Sequence, residues 1–280
     1  MPILLAISGG IVQHFKVGNA DLITYSMYAL GILTALLALL VMRNTTMRGN
    51  ASPFIMELPT YHMPGVKNLA LHLWDKAKHF IHKAFTIIVA SCIVIWVLSN
   101  FGWNWKYVGE EMDTSILASL GMFIQPLFTP LGFGAQLTEV GWVFAVAAIT
   151  GLVAKEDVVA TFGTLAACLL GTAFAGATED GVYEVAIMIE QTGATIPALI
   201  AFIAFNMLTI PCFATVATAR AEMEKGKFKG TLLFWLFTSY LVSAMIYTIG
   251  QWWWTAFLWA AVAGLSAVGI YIYNKKVRKD

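Results

Sequence analysis

LITYSMYALGILTALLALLVM, residues 22–42, decides the fold, because no charge interrupts its twenty-one residues. A helix rises about 1.5 Å per residue, so this stretch spans the roughly 30 Å hydrocarbon core of a bilayer. Upstream, residues 3–13 are apolar but reach only about 16 Å, which predicts the truncated end of a spanning helix. Downstream, residues 43–64 are rich in Pro, Thr and Asn and read as a loop. Leu69, Leu73, Ala77, Phe80 and Ala84 then fall within an arc of about 80°, an amphipathic helix. It runs into an apolar span, 85–98, closed by Trp103, Trp105 and Tyr107 as an interfacial belt. Residues 115–133 are apolar but carry Pro126 and Pro130, which break the segment and free the carbonyls of Met122 and Pro126. Residues 142–150 and 158–172 form two apolar arms, 178–192 reads as a polar acidic loop, and 196–215 is a span broken at Pro211. The last spans, 231–250 and 252–273, meet in a tight turn, with Trp252 to Trp254 as an interface anchor. The expected fold is an all-α integral membrane protein, a polytopic bundle with broken or re-entrant helices.

Composition agrees. Hydrophobic residues make up 59% of the 280 and charged residues 12%, against about 25% charged in a soluble domain. Mean hydropathy is +0.74. A net charge of +1 gives no footprint for nucleic acid. Cys92, Cys168 and Cys212 are too far apart for a CxxC knuckle or a disulfide framework. Residues 1–12 lack the positive n-region and cleavage site of a signal peptide. Lys and Arg collect in 43–83, 220–229 and the tail, whereas 99–114 and 174–195 are acidic. Basic loops face the cytoplasm, so the C-terminus is expected there, and an even number of crossings separates 114 from 178. Without a Walker A motif or GxGxxG, the energy source is another polypeptide or the gradient itself. The spans hold neither HExxH nor a Ser-His pair, which argues against an intramembrane enzyme.

Three constellations carry chemistry. Gly151-Leu-Val-Ala-Lys155-Glu156-Asp157 lies between the two apolar arms. Ionisable groups at bilayer depth each cost a few kcal/mol and must face protein, one another or a cavity; Gly151 lets the backbone leave the helix. The alternative is a short loop at the membrane surface. In Asn206-Met-Leu-Thr-Ile-Pro211-Cys212 the proline has no N–H, so the carbonyl of Met207 loses its helical donor beside a thiol. Thiolate and carboxylate both suit a divalent transition metal, which makes Cys212 and Glu156 metal candidates; the alternative is a kink with an inert thiol. Finally, His72, Asp75, His79 and His82 share an arc of about 80° on the amphipathic helix, a cytoplasmic metal stripe or simply its wetted face.

Four stretches together resemble the membrane part of the ferrous-iron transport protein B family: Pro53-Phe-Ile-Met-Glu57-Leu-Pro59-Thr-Tyr61-His-Met-Pro64, Gly151 to Glu156, Thr161-Phe-Gly-Thr164, and Pro211-Cys212 with Ala214-Thr215. In that family a GTPase domain precedes a helical membrane domain with two Gate repeats, and Fe(II) is the cargo. The resemblance implies a chain lacking the GTPase domain and the first Gate repeat. Its parts are then a helix end (1–13), one span plus a cytoplasmic loop (14–66), a Gate-type transport domain with its amphipathic lead-in helix (67–219), and a basic loop with two terminal helices (220–280). Asp157 departs from the apolar residue usual in the family. Implied partners are the bilayer of a bacterial inner membrane, Fe(II) as transported substrate with no permanently bound cofactor, a GTPase/first-Gate polypeptide, and in one arrangement a second copy of the chain. The alternatives are a Gate-type transporter of another small solute such as a nucleoside, and an inactive fragment.

Overall fold

The computed structural model describes residues 2–45, 65–108, 114–153, 155, 158–159, 161–163, 181–210, 213–223, 226 and 228–277. Among these the regular structure is helical, with only two isolated β-bridges, Phe101 to Tyr107 and Gly102 to Ser115. The helices are α1 (Pro2–Phe15), α2 (Ala20–Thr45), α3 (Val66–Asn100), α4 (Ile116–Ile124), α5 (Trp142–Val153), α6 (Val182–Thr192), α7 (Ile196–Leu208), α8 (Phe213–Glu222), α9 (Phe228–Gln251) and α10 (Thr255–Val277). Three are long and apolar enough to cross a membrane, over Ala20–Arg43, Phe228–Gln251 and Thr255–Ile272. This is the helical membrane architecture read from residues 22–42.

The two prolines act as expected on the backbone. Pro126 cannot donate to the carbonyl four residues back, and at Gln125 the chain leaves α4 for a tighter 3-10 helix, Gln125–Leu131, with Pro130 inside it. Gly132, at φ +90°, turns the chain out. The Tyr240 hydroxyl of α9 donates to the Leu127 carbonyl at 2.9 Å, pinning this segment to the bundle. α5 returns against α4, so the pair forms a hairpin of short helices. The amphipathic stretch and the span after it are one continuous helix, α3, of 35 residues, about 52 Å long.

One reading changes. Residues 182–192 are not loop: they form α6, a helix with Val185, Ala186, Met188 and Ile189 buried. The positions 182, 185, 186 and 189 carry a helical apolar repeat that the glutamates of the segment obscured. Residues 3–13 belong to α1, which packs into the core, with Ile3, Leu4, Ile7 and Ile11 buried. α1 packs on α6 through Gly9 and Gly10, where a Cβ would stand 2.8 Å from Val182 Cγ2 and from Val185 Cγ1 respectively. Such small-residue contacts let helix backbones approach where lipid supplies no hydrophobic drive.

The core centres on α7, which packs along α9 and touches α1, α2 and α5. Around it Phe128, Phe133, Phe144, Phe162, Phe202 and Phe205 interlock, with ring centroids 5.1 Å apart for Phe133–Phe202 and Phe144–Phe202 and 5.2 Å for Phe144–Phe162. These are edge-to-face contacts, the arrangement the ring quadrupoles favour. α10 is exposed along nearly its whole length, a face suited to lipid.

Candidate functional site at two helix breaks

Two helices of the core end side by side. α5 stops at Val153 and α7 at Leu208, where Thr209 turns to an extended conformation with ψ 174°. Gly151 lies against Asn206: a Cβ there would stand 2.6 Å from the amide oxygen and 2.8 Å from Val158 Cγ2. Four residues on from Gly151, the Lys155 ammonium donates to the Met207 carbonyl at 3.3 Å. That carbonyl is the one to which Pro211, lacking an N–H, offers no helical donor. A side chain from one break thus holds the backbone exposed by the other, 52 residues away in sequence.

The surrounding groups are mostly acceptors. Asn206 is 1% exposed, and its amide nitrogen donates to the Phe202 carbonyl at 3.0 Å. Its amide oxygen is buried with no hydrogen-bond partner among the described residues, and the same holds for the hydroxyl of Thr209, which is 3% exposed. Thr150, next to Gly151, bonds the Ala147 carbonyl at 3.1 Å and the Thr161 hydroxyl at 3.2 Å. Burying an acceptor without a donor costs about 1–3 kcal/mol, and such groups gather where a ligand can satisfy them.

Of the residues singled out by sequence, Gly151, Lys155 and Asn206 meet at this junction. Glu156, Asp157, Pro211 and Cys212 lie outside the described residues, as do Cys168, Thr164 and the Pro53–Pro64 stretch. His72 and Asp75 are exposed on α3; the side chains of His79, His82 and Cys92 are outside the described set. Among the described residues no three His, Cys, Asp or Glu side chains converge as a metal site. Sequence reasoning missed Thr209, and it missed Glu184, a carboxylate only 3% exposed in the first turn of α6, facing Gly163. The apolar repeat through 182, 185, 186 and 189 was the signal that would have placed Glu184 on a buried helix.

Comparison with known proteins gives a consistent pattern. The family described as Ferrous iron transport protein B C terminus matches residues 24–76, and the family Gate, described as Nucleoside recognition, matches residues 81–226. Among curated proteins, the chain is 29% identical to the Fe(2+) transporter FeoB of Salmonella typhi, over 88% of this chain and 36% of that protein. It is 33% identical to the Fe(2+) transporter FeoB of Staphylococcus aureus (strain MW2), over 83% of this chain and 32% of that protein. The corresponding protein of Campylobacter jejuni is also 33% identical, over 85% of this chain and 37% of that protein. The chain therefore spans about a third of the length of the curated relatives it matches. No solved structure matches it.

Proposed function

Since the chain belongs to the ferrous-iron transport protein B family, as part of its C-terminal membrane region, we propose that it lines the route by which Fe(II) crosses a bacterial cytoplasmic membrane. The observation that carries this reading is the 3.3 Å contact of Lys155 with the Met207 carbonyl. It places an internal cation on the acceptor that a helix break exposes, the type of group that transporters with discontinuous helices use for ions. Lys155 holds the break closed until an arriving cation displaces it. Glu156 and Asp157 follow Lys155 directly, and Cys212 lies five residues after Met207. A carboxylate and a thiolate brought to one break would give Fe(II) ligands of two kinds. Fe(II) is cargo here, not a resident cofactor.

Polypeptide equivalent to the rest of the family's length, with a GTPase and a first Gate repeat, would complete the route and drive it. The basic 220–229 loop and tail support a cytoplasmic C-terminus. The Gate description names nucleoside recognition, so a nucleoside is the second reading; a carbonyl already holding an ammonium favours a cation.

The test is uptake of radiolabelled Fe(II) by cells that also express a GTPase and first Gate repeat of the family, with labelled uridine in parallel. Glu156→Gln and Cys212→Ser should each lower iron uptake on the order of tenfold, equivalent to about 1.4 kcal/mol. Lys155→Met with Glu156→Gln should lower protein abundance less than Lys155→Met alone, since one carboxylate rather than two is left without the ammonium. Wild-type iron uptake in both single variants at equal abundance, or uridine uptake in place of iron, would refute it.

A further inference from the structure

Two helix C-termini meet at the junction of α5 and α7, where both helix dipoles present their negative ends. One residue before Met207 and two after it stand two buried oxygens that nothing among the described residues satisfies, Asn206 Oδ1 and Thr209 Oγ1. Asn206 has its donor end committed to the Phe202 carbonyl, so its oxygen end is fixed toward the junction and Gly151. We propose that this junction is a binding site for a monovalent alkali cation, held by Asn206 Oδ1, Thr209 Oγ1 and the Met207 carbonyl.

The chemistry selects that class. Every one of these groups is a neutral oxygen, the ligand type hard cations take. Soft or borderline divalent metals gain more from thiolate, imidazole or carboxylate. The Lys155 ammonium, on the same carbonyl, repels a divalent ion twice as strongly as a monovalent one at equal distance. Dipole ends and neutral oxygens compensate about one positive charge. The ammonium and the alkali ion are therefore alternative occupants of the Met207 carbonyl: sodium or potassium binding releases Lys155, and Lys155 expels the ion. This deepens the reading of the Lys155 break as part of a cation route, adding a co-ion whose arrival unlocks it.

Thermal unfolding of the purified full chain in detergent, without iron, tests the site. Melting curves are compared in sodium, potassium and choline chloride at equal ionic strength. Sodium or potassium should raise the melting temperature saturably over choline, on the order of 5 °C. Asn206→Leu and Thr209→Val should abolish that increment. Both should still fold, because each removes a buried group that lacks a partner. Lys155→Met should shift the dependence to lower salt by removing the competitor. Thr192→Val, which deletes a buried hydroxyl bonded to the Met188 carbonyl of α6, should leave it unchanged. Identical curves in all three salts would mean that ordered water alone satisfies these oxygens, and would overturn the proposal. An increment that survives Asn206→Leu and Thr209→Val would do the same. Neither outcome decides the iron reading, whose own test is uptake by the Glu156→Gln and Cys212→Ser variants.

Discussion

At Gly151 a hydrogen stands where any other residue would place a carbon, and Asn206 has moved into the space. Gly151→Ala would set a methyl group 2.6 Å from the amide oxygen and 2.8 Å from Val158 Cγ2. We expect it to destabilise the protein by about 1–3 kcal/mol, as overpacking does in tight cores. In an Asn206→Ala background the loss should shrink by at least about 0.5 kcal/mol, since contacting residues couple; equal losses in both backgrounds, read from denaturation midpoints, would place the strain elsewhere. At this scale the sequence made the parts visible but not their pairing. Lys155 in an apolar stretch and the carbonyl stripped by Pro211 each follow from local chemistry. That one binds the other across 52 residues depends on how α5 and α7 pack, which no local pattern encodes.

Among the elements, the contact of α1 with α6 shows how a helix pair can depend on missing side chains. Gly10→Leu should separate the two helices by filling the space taken by Val185, and Val185→Ala should recover part of the loss. Gly31→Ala, on α2 with nothing within 4 Å, is the neutral comparison. Unfolding in denaturing detergent measures all three, and a Gly10→Leu protein as stable as wild type would show that α1 is not held by this contact. α6 was also the element that composition concealed. Its acidic residues read as a loop at the membrane surface, yet Glu184 is buried and only Glu190 and Gln191 near its end are exposed among its polar residues other than Tyr183 and Glu184. The broken elements were easier. Proline acts through the chain's own geometry, so the changes at Gln125 and after Leu208 were legible, whereas the 3-10 form of residues 125–131 reflects packing against α9.

At the scale of the whole molecule, long uncharged stretches gave the membrane class directly, because the requirement to span a bilayer leaves so few alternatives. In a chain with its three cysteines replaced, Leu265→Cys on exposed α10 should react with a lipophilic maleimide, and Val146→Cys in the core should not. Lys275→Cys should react with an impermeant reagent in inside-out vesicles but not in intact cells; labelling of intact cells would reverse the orientation. The phenylalanine cluster has a consequence on this scale as well. Six interlocked rings on and around α7 make a tightly packed apolar layer, of low dielectric constant if it closes the route. Water-filled space conducts and levels an electrical potential, whereas such a layer does not, so the membrane voltage falls steeply across it. One charge crossing a drop of 100 mV changes energy by about 2.3 kcal/mol. If the break opens there, the Lys155 ammonium leaving Met207 moves within that field, and opening becomes a voltage-dependent step that a capacitance measurement can register.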